Sequence, residues 1–123
     1  MTFTIQYPKT KAGMKQFCKN FGMNSIYSGK HWNQRREDAE YIHQTVRASL
    51  IEQRIPRAPF QRPVGVTFYW NDRLDLDNHS YAGKLILDGI KGWIIQDDDR
   101  RFVRVIEHRF YDKDYITVEV NPI

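Results

Sequence analysis

The sequence predicts an α+β fold in a single domain over residues 1–123, a sheet of about four strands packed with two main helices. Three observations predict it. Four short segments rich in β-branched and aromatic residues carry a period of two, and two longer segments repeat their apolar residues every three to four positions. A chain of 123 residues with 41% hydrophobic content buries one core, and no shift of composition marks a linker or a repeat.

Taken in order, Thr2 to Gln6 alternates Phe3 and Ile5 with polar residues and reads as a strand closed by Pro8. Lys9 to Lys30 interleaves five lysines with Phe17, Phe21 and Tyr27 and holds Gly13, Gly22 and Gly29. It reads as a mobile or irregular segment with some helix near Met14 to Phe21. Its lysines and rings suit phosphate contact and base stacking, and equally Phe17 and Phe21 suit an i, i+4 core pair. Residues 33 to 54 form the clearest helix, with Ala39, Ile42, Val46 and Leu50 on one stripe and Pro56 ending it. Glu37, Asp38 and Glu40 are expected on its exposed face near the positive end of the dipole, and His43 at its boundary. A proline-bounded connector leads to Val64–Trp70, apolar on both faces and therefore expected in the middle of the sheet. A helix over about Ser80 to Lys91, with Leu85, Ile86 and Ile90 inward, stops at Gly92. Trp93 to Ile95 reads as a short extended piece. Strands over Phe102–Phe110 and Tyr115–Val120 close the chain, with Asp112-Lys113-Asp114 as the turn between them.

Charge is unevenly spread. Residues 1–63 carry eleven Lys or Arg against four acids, about +7, whereas residues 64–123 carry eight against eleven, about −3. A basic half beside an acidic cluster suits a polyanionic substrate, although solvated surface charge produces the same count. The lone Cys18 cannot form an internal disulfide, and the apolar runs are too short for a spanning helix or a signal-peptide core. A cytoplasmic protein with no membrane partner is expected.

Seven of the fifteen acidic residues fall between Asp72 and Asp99. Clustered carboxylates repel one another unless a cation screens them, so this density marks a candidate metal site. If the chain is extended there, Asp75 and Asp77 project to the same side, away from Leu76. Asp97, Asp98 and Asp99 are candidates for a third ligand to a hard cation such as Mg²⁺. Read blandly, Asp77 and Asn78 are helix caps and Asp97 to Asp99 a solvated turn. Lys84 stands four residues before Asp88 and suits either a surface ion pair or neutralisation of charge on a reacting phosphate. Cys18 and the four His residues lack zinc-ligand spacing.

Asp75-Leu76-Asp77-Asn78, then Lys84 and Leu87-Asp88-Gly89-Ile90, then Gln96-Asp97-Asp98 before a closing strand, resembles the RusA family of Holliday junction resolvases, small enzymes often carried by phages and prophages. The resemblance extends over most of the chain, including the opening strand and Asn24 to Tyr27. It implies a mixed α/β fold, a homodimer, and Mg²⁺, with Mn²⁺ as a substitute, held by Asp75, Asp77 and Asp98. The family's Lys usually stands three residues after the Asn, where this chain has Tyr81. Lys84 takes that role if three residues are inserted, which would put Tyr81 on an inserted turn. Asp99 leaves a one-residue ambiguity over which acid of the triplet is the ligand.

The resulting expectation is a magnesium-dependent endonuclease that resolves four-way DNA junctions by paired cuts in recombination and repair, with Asp75, Asp77, Asp98 and Lys84 catalytic. The alternatives are a nuclease for flaps or forks and a junction-binding protein that does not cut.

Overall fold

Strand pairing determines where the acidic segment emerges. In the computed structural model, which describes residues 1–123, strands β1 (Thr2–Gln6), β2 (Val64–Trp70), β3 (Val103–Phe110) and β4 (Tyr115–Pro122) form one sheet in the order β1-β4-β2-β3. β2 is parallel to β3 and antiparallel to β4, and β4 is antiparallel to β1, so the sheet is mixed. The helices are α1 (Lys11–Phe21), α2 (Met23–Tyr27), α3 (Trp32–Glu52) and α4 (Ser80–Ile90), with a 3-10 turn at Leu76–His79 leading into α4.

The period of two in the strands translates into one dry face. Val64, Val66, Phe68 and Trp70 of β2, Ile116, Val118 and Val120 of β4, and Phe3 and Ile5 of β1 are buried together against α3 and α4. Ile42, Val46 and Leu50 supply the inner stripe of α3, while α4 buries both glycines and most of its apolar residues. Gly83 is required by the close approach of α4 to the sheet, since a Cβ there would stand 2.9 Å from the His108 ring and 3.4 Å from Phe68. Gly92 ends α4 in a left-handed conformation, φ 73°, the role assigned to it from sequence.

Four expectations are corrected. Lys9 to Lys30 is mostly helical, because Thr10 caps α1 by accepting from the Gly13 amide and Gly22 separates two helices instead of dissolving them. Asp38 is buried, not on the exposed face of α3: it pairs with Lys30 and accepts hydrogen bonds from Gln34 and Tyr81. Tyr81 lies inside α4, not on an inserted turn, and its hydroxyl reaches Asp38 at 2.8 Å. Trp93–Ile95 is a turn closed by the Gly92 and Ile95 backbone groups, with only an isolated bridge from Lys91 to Ile95. No helix is long and apolar enough to cross a membrane.

Candidate active site

β2 delivers the chain from fully buried Trp70 to Asp72, and Asp72 turns inward. Its carboxylate lies 2.8 and 2.9 Å from His79 Nε2, accepts from the Tyr7 hydroxyl at 2.7 Å and from the Leu74 amide at 3.0 Å. The other nitrogen of His79 lies 3.0 Å from the Leu76 carbonyl, and the ring stacks on Trp70 with centroids 4.4 Å apart. Both His79 nitrogens thus face oxygen atoms, which fixes the ring at both ends. Burial, reinforced by the hydrogen bond to Asp72, raises Tyr7 far above the ordinary tyrosine range and keeps it a phenol. The segment from Asp72 to His79 therefore closes on itself around a buried pair, which leaves Asp75 and Asp77 on its outer side.

Asp75 and Asp77 do share one side, but by a different route from strand alternation. Asp75 is the extended residue before the 3-10 turn and Asp77 lies within that turn. Together with Met23, Asn24, Tyr27, Asn78 and Ser80 they line an open cavity of about 390 Å³. Asn78 is not a helix cap: its side-chain oxygen accepts from the Asn24 amide at 3.0 Å and holds α2 against the acidic turn.

The second part of the site lies one turn further along α4. Lys84 Nζ donates to Asp98 at 2.7 Å and to Asp88 at 3.0 Å, while Lys91 Nζ stands 3.2 Å from each of these two carboxylates. The three acids of the triplet meet different cations. Asp98 is the acid that meets Lys84, Asp99 is turned to Arg101 at 2.7 Å, and Asp97 lies 3.7 Å from Lys91. The Lys84 hydrogen bond, followed by that of Lys91, holds the Asp98 carboxyl well below the usual carboxylate range, and the bond to Asp98 raises Lys84. Lys84 also borders a groove of about 270 Å³ with Gly83, Leu87, Ile106 and His108. Ser80 lines both this groove and the Asp75/Asp77 cavity, so the two parts adjoin at one residue.

The chemistry of the donors suits a hard cation at Asp75 and Asp77: two carboxylates and an amide side chain in an open, water-accessible cavity. Asp98 is not gathered with them, and no group of three His, Cys, Asp or Glu side chains stands close enough to hold an ion. Its carboxylate is neutralised by Lys84 and Lys91, so ligation by Asp98 requires those lysines to give way.

Sequence reasoning missed Asp72, His79, Lys91 and the anchoring role of Asn78. The hydrogen-bonding residue types at Asp72 and His79, on either side of the acidic pair, are a signal in retrospect, but nothing in a seven-residue separation reveals that they meet. No family model matches the chain, and no curated protein matches it significantly.

Proposed function

We propose that the protein is a divalent-metal-dependent endonuclease for branched DNA, acting foremost on four-way junctions in recombination and repair, as its resemblance to the RusA family implies. The observation that carries the reading is the junction at Ser80. On one side of it is the Asp75/Asp77 cavity; on the other is Lys84, drawn to Asp98 from fourteen positions away. The basic excess of residues 1–63 supports a polyanionic substrate.

In this reading Asp75 and Asp77 would hold Mg²⁺ or Mn²⁺, and Asp98 would join them only once Lys84 and Lys91 release it. Such a cation, when bound, would supply Lewis-acid polarisation of a phosphate and an activated water. The residues do the rest. The Asp72–His79 pair fixes the turn that presents Asp75 and Asp77. Asn78 keeps α2 on the cavity wall. Asp88 and Asp98 keep Lys84 protonated and aimed until a phosphate replaces one of them, after which the ammonium offsets the charge that builds on the phosphate oxygens. A four-way junction has near-twofold symmetry, so two cuts call for two copies of the single site, and a homodimer supplies them.

A supercoiled plasmid bearing a cruciform tests this with Mg²⁺ present. Linear DNA formed directly supports paired junction cutting, open circles alone support a flap or fork nuclease, and an intact plasmid to which the protein still binds supports a junction binder. The last reading is favoured by one observation: the position usual for the family's Lys is Tyr81, whose hydroxyl is engaged with buried Asp38.

A further inference from the structure

His108 stands near the end of β3, beside Phe68 of β2, and its ring stacks on that of Phe68 with centroids 5.3 Å apart. One ring nitrogen is already engaged. The Trp70 indole Nε1 donates to His108 Nδ1 at 3.0 Å. An indole nitrogen can only donate, so Nδ1 is the bare nitrogen of a neutral ring and the proton is on Nε2. Protonating His108 would set an Nδ1–H against the indole N–H and break that bond. Burial, followed by the nearby His79, also lowers His108, so the ring is uncharged at neutral pH.

Nε2–H has no partner within the chain. It is not shut away from water, because the only side-chain nitrogen or oxygen buried without a partner is Nε2 of His43. His108 lines the groove of about 270 Å³ that Lys84 borders, with Phe68, Ser80, Leu87 and Ile106 as the other side-chain walls. With Nδ1 turned to Trp70, Nε2–H is the polar group that His108 brings to this groove. The ring is held by Phe68, by Trp70 and by Gly83 of α4, where a Cβ would stand 2.9 Å from Cε1, so its donor is fixed before any ligand arrives.

We propose that His108 Nε2–H is a second donor to a DNA phosphate bound in this groove, a neutral partner to the Lys84 ammonium. That role rests on Lys84 meeting phosphate, and it adds to the site a residue of β3 that stands outside the acidic segment. One full positive charge and one neutral N–H match a phosphodiester, which is a monoanion, and Phe68, Leu87 and Ile106 offer apolar walls to its sugar. The two donors differ in what they give up. Lys84 must exchange Asp88 or Asp98 for the phosphate, whereas His108 breaks no bond within the chain and needs no rearrangement. A neutral imidazole holds its remaining proton too tightly to release it near neutral pH, so His108 binds and orients the phosphate and transfers no proton.

Two measurements test this, and neither involves cutting. In protein labelled with ¹⁵N-histidine, long-range ¹H–¹⁵N correlations read the tautomer of each ring. His108 should show a protonated Nε2 and a bare Nδ1 at neutral pH. Dimethyl phosphate, a bare phosphodiester, should then shift the His108 Nε2 resonance and leave that of exposed His31 unmoved. The second measurement is junction binding in chelator, read by fluorescence anisotropy. His108→Phe keeps a ring against Phe68 but has no donor, and should weaken binding roughly three- to tenfold, the range for one neutral hydrogen bond. His108→Gln places an amide N–H near the Nε2 position and should recover most of that loss, with circular dichroism showing both variants folded. A bare Nε2, a resonance that dimethyl phosphate does not move, or a folded His108→Phe that binds as tightly as the parent would overturn the proposal. A junction left intact in Mg²⁺ while the Nε2 shift persists would remove the cutting reaction and leave this phosphate contact standing; a cut junction without the shift would remove the contact alone.

Discussion

Lys84 reaches Asp98 at 2.7 Å while still holding Asp88 on its own helix at 3.0 Å. One ammonium thus ties the segment after α4 back to α4 and stands beside the groove that adjoins the acidic pair. The contact has a pH signature. Asp98 is held below the ordinary carboxylate range, chiefly by Lys84, so its ionised form contributes stability above the unfolded-state value of about 4, and that contribution is lost as pH falls toward the depressed folded value. Acid titration monitored by circular dichroism should show Asp98→Asn losing less stability than the parent chain below about pH 4. Equal losses in the two proteins would mean that the pair is not maintained in solution.

Asp77→Asn should abolish cleavage and leave junction binding equal or slightly tighter, since it removes a negative charge that faces phosphate. Gel-shift and cleavage assays on the same junction read the two effects separately. Cys18→Ser, the control, should cut at the parent rate, because the half-buried thiol is not among the groups lining the Asp75/Asp77 cavity or the Lys84 groove.

His79→Asn should destabilise the fold by about 3 kcal/mol, because the buried Asp72 carboxylate would keep only the Tyr7 hydroxyl and the Leu74 amide as partners. Denaturant unfolding measures that loss. Any residual cleavage should fall as well, since the turn carrying Asp75 and Asp77 is closed by this pair. Unchanged stability would show that Tyr7 and the Leu74 amide suffice to satisfy Asp72.

Tyr81→Phe should cost about 1–3 kcal/mol by removing one donor from buried Asp38, with cleavage unaffected. A specific loss of cutting in a stable variant would instead place Tyr81 in the chemistry.

How much of this was legible follows from what each residue type signals by itself. The strands were readable because burial on one face imposes a period of two, and α3 because Ile42, Val46 and Leu50 recur every four residues. Asp38 stands four before Ile42 on that same stripe, so the spacing placed it inward, but its charge argued for solvent and its partner Lys30 lies on another segment. α1 was obscured because it buries only Phe17 and Phe21 and carries in its first turn a glycine, Gly13, that reads as a breaker. The grouping of Asp75 with Asp77 was legible from their proximity, though the 3-10 turn replaced the assumed extension. Only the resemblance put Lys84 and Asp98 in one site, and nothing announced their direct contact, since a separation of fourteen residues carries no local periodicity. The Asp72–His79 pair had no such guide, because it depends on a turn folding back beneath Trp70.

Junction affinity should fall steeply with added salt, because Lys and Arg displace counterions from the phosphates they meet. Affinity measured by fluorescence anisotropy that stays flat from low to moderate salt would make the basic half an ordinary solvated surface.

The most direct test of the account incubates the purified protein with end-labelled four-way junction and linear duplex of the same sequence, in Mg²⁺ and in chelator. Symmetric cuts in two strands of the junction are expected, with little cutting of the duplex, none in chelator, and none with Asp77→Asn. An intact junction in Mg²⁺ and in Mn²⁺, with the protein folded and bound to it, would contradict that expectation.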